Sequence, residues 1–406
     1  MSDLQRIPDI GVPVSLLQRP GTFGGAPRGD LVVGDLLLRG GRVVGMAARA
    51  EARCGAIVTC RLTEAHCHLD KCHSIDRILM PGGDLVAALA AQESDKRNWS
   101  HADVTARTAQ GLAELRAAGC GTARSHVDWP APGRGAPVAW HVLREFAPDT
   151  GIALQIAALS GIDELAEPGH ADELARFIAP SGGVLGAFVL DHGKRREGLR
   201  ACFAAAEKYG LALDFHVDEG LARGLDGLDL IVEVAEETGF EGPILCSHAC
   251  ALMNRSADDL ARIGARMARA GISLAVLPAT NLYLQGRRAG TPDRRGIAPI
   301  HELRSAGARV AIATDNVADA FQPGGRHDPR AALALASLAC HLDPPLGPWL
   351  PAISTDARRA LGLDEGWVDG ASINDLIAFD AISTTALVTR AAPPRPVATL
   401  IAEVTP

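Results

Sequence analysis

Two histidines one residue apart, in His66-Cys67-His68, are the first feature of this 406-residue chain that suggests chemistry. On an extended chain the single-residue gap turns both imidazoles to one face, with their Cα atoms about 6.5–7 Å apart, so one cation can be held by both. With 13 histidines in 406 residues, chance alone supplies such a pair about 0.4 times, so it needs support from elsewhere. That support comes from His216 and His248, which each end a β-type run, and from Asp315, which follows another. Imidazoles with a carboxylate form a borderline-hard donor set suited to Zn²⁺ or Fe²⁺ with a position left for water. Glu219, three residues beyond His216, suits either of two roles. It can pass a proton between such a water and a substrate, or it can be a charge favoured at a helix start.

These groups lie far apart in the chain, so the elements between them must bring them together. Short β-type runs at 56–65, 121–126, 152–159, 184–190, 211–216, 243–248, 272–277 and 309–314 alternate with helical spacing. Helices are expected at 101–118, 196–209, 228–238 and 256–270, the last with a serine cap followed by Asp258 and Asp259. Eight such units predict a (β/α)8 barrel, in which all strand ends share one rim. A doubly wound sheet fits the periodicity alone but gives no reason for polar residues of many strands to converge. Residues 1–60 and 366–406 read as short β segments with Gly- and Pro-rich turns, and both ends are expected to form one small β-sandwich domain beside a barrel at 61–365. The stretches 373–380 and 397–401 are both expected as strands there.

Composition narrows the function classes. The net charge of −8 gives no concentrated basic face for nucleic acid. Arg287-Arg288 and Arg294-Arg295 sit in a Gly/Pro/Thr-containing stretch, either a solvated loop or one that folds over a pocket. No apolar run reaches the ~20 residues that span a bilayer, and the first residues lack a basic-then-apolar leader pattern, so a soluble cytoplasmic enzyme is expected. Nine scattered cysteines fit reduced, buried thiols. Alternation along the strand would point Cys67 away from the face that His66 and His68 share.

The segments Glu64-Ala65-His66-Cys67-His68-Leu69-Asp70-Lys71, Arg124-Ser125-His126-Val127-Asp128, His216-Val217-Asp218-Glu219, Ser247-His248-Ala249-Cys250-Ala251, Leu284-Gln285-Gly286-Arg287 with Arg294-Arg295-Gly296-Ile297, and Asp315-Asn316-Val317-Ala318-Asp319 resemble the amidohydrolase superfamily. Within it, they are similar to the branch of cytosine deaminase and N-isopropylammelide amidohydrolase. The resemblance implies one divalent metal, zinc or iron, on His66, His68, His216 and Asp315. Glu219 would then be the proton shuttle, His248 would orient or help deprotonate the attacking water, and Asp315 would also assist proton transfer. Other branches carry a carboxylated lysine at the end of the fourth strand; Val184-Leu185-Gly186-Ala187-Phe188-Val189-Leu190 has none, which favours one metal.

The implied activity is hydrolytic deamination of a small N-heterocycle, a cytosine-like pyrimidine or s-triazine, releasing ammonia or an alkylamine. Substrate contacts are expected from Lys71, Ser160, Gln285, Asn316 and Phe321. Ser160 stands near the position of the glutamine that reads cytosine in that branch, Asn316 replaces a second acid, and Phe321 a tryptophan. These departures bear on the substrate rather than on the reaction. Two rivals are weighed beside this reading: opening of a cyclic amide, which adds water where deamination replaces NH with O, and an inactive barrel kept as a scaffold. The expected partners are the small heterocycle and further copies of the chain, with neither nucleic acid nor membrane.

Overall fold

The computed structural model describes residues 4–49, 53–79, 83–148, 150–291 and 293–404. Eight parallel strands follow one another around a sheet in strict chain order: Leu62–Cys67, Cys120–Asp128, Ala153–Gly161, Val184–Val189, Leu213–Val217, Ile244–His248, Ile272–Val276 and Arg309–Ile312. The first and last strands meet where Asp315 N donates to His66 O at 2.9 Å, beside a parallel bridge between Cys67 and Asp315. The expected (β/α)8 barrel is therefore present, and its closing contact lies between two of the residues singled out for chemistry.

The helices outside the barrel have clear starts and stops. His101–Ala118 begins at Ser100, whose hydroxyl accepts from Asp103 N, and stops at Gly119 in the left-handed region at φ 89°. Ala257–Arg269 is capped by Ser256 and buries Leu260, Ile263, Gly264 and Met267. That i, i+3, i+4, i+7 spacing lays one stripe on the barrel. Helices Arg195–Tyr209 and Gly227–Thr238 fall within a residue of their expected bounds.

The chain ends join in one seven-stranded mixed sheet, built from Leu4–Pro13, Ala26–Arg28, Leu31–Arg39, Arg42–Ala47, Ala56–Cys60, Leu376–Phe379 and Arg395–Pro396. Two local expectations change. The run 56–65 is two strands, because Ala56–Cys60 pairs with Leu376–Phe379 while Leu62–Cys67 pairs with the second barrel strand. Arg61 lies between them, its N donating to Asp375 O at 3.0 Å. The stretch 397–401 is not a strand but the start of helix Val397–Val404. After Pro396, Val397, Leu400 and Ile401 repeat at three and four, a helical period, and Val397 and Leu400 are buried.

Among the described residues, no helix is long and apolar enough to cross a membrane. All nine cysteines are free thiols, eight of them buried. Cys67 Sγ points to Arg124 O at 3.4 Å, away from the neighbouring imidazoles.

Candidate metal centre

Barrel register places the chemistry. His216 lies opposite Ser247, and Val217 opposite His248, so the fifth and sixth strands end together on the rim that also carries His66, His68 and Asp315. His66 Nε2 and His68 Nε2 stand 3.3 and 3.4 Å from the same oxygen, Asp315 Oδ1. His216 Nε2 faces His68 Nε2 at 3.3 Å. Two neutral imidazole nitrogens at that distance need a proton or a cation between them. Donors bonded at about 2.0–2.1 Å to a tetrahedral cation lie about 3.3–3.4 Å apart, which is the spacing of these three contacts. His66, His68 and Asp315 form one tight group, while His216 falls in a second group with His66, His126 and Asp214 and meets the first across its contact with His68.

All four side chains are buried, and His66 Nε2 and both Asp315 carboxyl oxygens have no hydrogen-bond partner. Polar atoms so enclosed are normally satisfied, so these residues fit a bound cation. Surrounding groups orient them: His66 Nδ1 meets Ser247 Oγ at 2.8 Å, and His68 Nδ1 lies 3.7 Å from Asp70 Oδ1. Electrostatics agree. Burial and Lys71 both disfavour charge on His68, yet the adjoining carboxylates of Asp315 and Asp70 raise its imidazole to about 9. Burial opposes charge on Asp315 too, but the adjoining imidazoles of His66 and His68 hold it well below the usual carboxylate range. The rim thus favours positive charge beside an ionised carboxylate.

The proton-handling candidates lie beside this group. His248 Nδ1 is 3.6 Å from Glu219 Oε1 and 3.0 Å from Asn281 Nδ2. Burial lowers His248 to about 4, keeping it neutral. Burial, with Asp315 adding repulsion, raises Glu219 to about 8. His248 and Asp315 both sit in left-handed backbone, at φ 70° and 62°, an uncommon state for non-glycine residues that clusters at functional sites.

The expected substrate residues divide. Lys71 Nζ pairs with Asp128 Oδ1 at 2.9 Å and lies 5.2 Å from the Phe321 ring. The pairing keeps it a cation rather than a carboxylated ligand. Asn316 Nδ2 donates to Asp319 Oδ2 at 2.7 Å, and Phe321 N donates to Asp319 Oδ1 at 2.8 Å, which ties both to one turn. Gln285 Nε2 reaches Glu219 O at 3.5 Å. Ser160 is the last residue but one of the third strand, where its hydroxyl donates to Glu164 Oε2 at 3.1 Å. In the arginine loop, Arg287 Nη1 donates to Gly83 O at 2.7 Å, and Arg295 Nη1 to Leu282 O at 2.9 Å.

Sequence reasoning missed the layer beneath the rim. Asp214 Oδ1 lies 3.0 Å from His126 Nε2 and Asp214 Oδ2 2.8 Å from Arg124 Nη1, all three fully buried, with His126 stacked on His66 at 4.0 Å between ring centroids. The available signal was period two: Asp214 precedes His216 by two residues and Arg124 precedes His126 by two, so each pair shares the inward face. Asp70, Asp128, Glu164 and Asn281 were also unassigned.

An eight-stranded barrel that gathers imidazoles and an ionised carboxylate at its strand ends has the build of a metal-dependent hydrolase. Residues 55–403 match the amidohydrolase family, and a pterin deaminase of Rhizobium rhizogenes is 34% identical over 366 residues, covering 88% of this chain and 83% of its own. The chain belongs to the amidohydrolase family. Among solved structures, a 5-methylcytosine deaminase from Klebsiella pneumoniae superposes with a TM-score of 0.79 at 24% identity, covering 97% of this chain and 96% of that one. An N-isopropylammelide isopropylaminohydrolase from Burkholderia multivorans gives 0.70 at 25%, covering 95% of each.

Proposed function

We propose that the protein is a hydrolytic deaminase of a small amino-substituted N-heterocycle, with one divalent zinc or iron ion held by His66, His68, His216 and Asp315. The observation that carries this reading is the pair of Nε2 atoms at 3.3 and 3.4 Å from one unsatisfied oxygen of Asp315, with Glu219 close by. The pterin deaminase relative supports the substrate class.

When bound, the cation supplies Lewis acidity and lowers the pKa of water toward ~7. Glu219, raised to about 8, holds a proton at neutral pH and is suited to give it to a ring nitrogen, which makes the amine-bearing carbon more electrophilic. Asp315, held ionised, accepts a proton from water as its oxygen adds to that carbon. Neutral His248, held by Asn281, orients the water. The carbon–nitrogen bond then breaks, the nitrogen leaves with the proton that Asp315 took from water, the added hydroxyl gives its own proton to Glu219, and a keto heterocycle remains. Lys71, Phe321, Asn316, Gln285 and Ser160 line the approach in this reading.

The test is a panel of aminopyrimidines, aminotriazines and pterins, assayed for ammonia with the product weighed. Replacement of NH by O in at least one compound is expected. Ring opening, which adds a whole water, would overturn the reading, as would no ammonia from any of the panel with metal-replete enzyme. The reading extends to a cytoplasmic homo-oligomer. Exposed Leu79, Val86 and Leu89, all near the helix Leu85–Asp95, support association, and light scattering should return a mass above one chain.

A further inference from the structure

A second group of metal-type donors stands apart from the rim and takes no part in the mechanism. Cys72, His73 and His327 bring one donor atom each within 4.8 Å of one another. Glu114 adjoins them, with Oε1 3.5 Å from His73 Nε2 and Oε2 accepting from His327 N at 3.0 Å. Each imidazole is held at its other nitrogen by a neutral partner, His73 Nδ1 by Gln110 Nε2 at 3.2 Å and His327 Nδ1 by Thr314 Oγ1 at 3.3 Å. This is the arrangement that orients histidine ligands, with one ring nitrogen tethered and the other directed inward. Either end of the Gln110 amide can face His73, so the tether suits an Nδ1–H as well.

The two inward nitrogens, His73 Nε2 and His327 Nε2, are enclosed and have no hydrogen-bond partner. Read as a plain core cluster, the site gives His73 Nε2 only the Glu114 carboxylate at 3.5 Å and leaves His327 Nε2 unsatisfied, which buried nitrogens rarely are. Helix His101–Ala118 makes room for it with a glycine in its interior, an unfavourable residue there. A Cβ at Gly111 would lie 3.1 Å from His327 Cδ2, 3.3 Å from Cys72 Sγ and 2.6 Å from Leu69 Cδ2. His73 itself adopts the left-handed backbone at φ 54°.

We propose that Cys72, His73 and His327, with Glu114 as fourth donor, form a second, structural cation site of the zinc type. One thiolate, two imidazoles and one carboxylate are a set that closes a tetrahedral shell without leaving a position for substrate. Bonds of about 2.0–2.3 Å require Cys72, His73 and His327 to draw closer than 4.8 Å and the Glu114 carboxylate to join them. The cation would displace the thiol proton, which otherwise points to Leu69 O and Arg107 O at 3.6 and 3.5 Å. Its role is to brace the loop after the first strand against the loop after the eighth. These are already joined where His73 N donates to Val317 O at 3.1 Å and Ile75 N to Ala318 O at 2.9 Å. Those loops carry Lys71 and Asn316.

Cobalt(II) tests this on the full chain, because the rim site contains no thiolate. Metal-stripped protein reloaded with cobalt should take up two ions per chain and show a thiolate-to-cobalt charge-transfer band in the near ultraviolet. Cys72→Ser should lose the band and one ion while keeping the other. His73→Gln, at a partly exposed position, should likewise bind about one ion and serves if Cys72→Ser fails to fold. A wild-type uptake of one ion without the band would overturn the proposal. A band that survives Cys72→Ser, or two ions retained by His73→Gln, would do the same.

Discussion

Glu219 and Asp315 are buried carboxylates with opposite fates. Burial raises Glu219 to about 8, while His66 and His68 hold Asp315 ionised against the same burial. Titratable groups driven apart in this way mark the acid and the base of a site. Glu219→Gln should therefore leave metal content near normal and lower turnover by at least ~10²-fold; turnover within a few-fold of wild type would remove Glu219 from the mechanism. In metal-free protein the same residue links stability to pH. Its folded value of about 8 exceeds an unfolded value of about 4.3, so the folded state holds the extra proton. That contribution is whole below the unfolded value and lost as pH rises through the folded one. Glu219→Gln keeps the neutral form throughout. Urea titrations of the metal-free pair should show wild type falling behind the variant as pH rises from about 4 to 8; a constant difference would contradict the assignment.

At the scale of elements, strand ends do the positioning and the layer beneath holds them. His126 and Arg124 both lean on Asp214, and Arg124 also meets Gln155 Oε1 at 2.7 Å and Leu361 O at 3.2 Å. Asp214→Asn leaves the buried guanidinium without its counter-charge, and a loss of about 3–5 kcal/mol is expected from chemical unfolding. A loss below ~1 kcal/mol would show the pair to be dispensable. The strands were legible because apolar runs alternate with helical spacing and several end at or next to polar residues at the rim, as at His66, Asp128, Ser160, His216 and His248. The break at Arg61 was not, since residues 56–65 read as one continuous β-type run and only pairing with 376–379 divides them. The helix at 397–404 was hidden by its shortness, with the period visible over barely one turn. Asp214 escaped because a carboxylate inside a strand gains its meaning from Arg124 and His126, ninety and eighty-eight residues away in sequence.

For the whole molecule, imidazoles of the first and fifth strands and the carboxylate after the eighth gather at the rim, so an ion bound there would tie the barrel's closing seam. Chelation should lower the thermal midpoint, and a metal held at a thousand times its dissociation constant contributes about 4 kcal/mol. Calorimetry with and without chelator checks this, and equal midpoints would mean that the rim needs no ion to hold its shape. The family was legible in short motifs, whereas the pocket was not. Ser160 turns to Glu164, Asn316 to Asp319 and Lys71 to Asp128, partners that no spacing rule announces.

The most direct test of the account is ammonia release by metal-stripped and zinc- or iron-restored enzyme in water labelled with heavy oxygen. Turnover should vanish on stripping and return with metal, and the heavy oxygen should appear on the ring carbon that lost its nitrogen. Undiminished ammonia release by the stripped protein, or product oxygen that does not come from solvent, would contradict it.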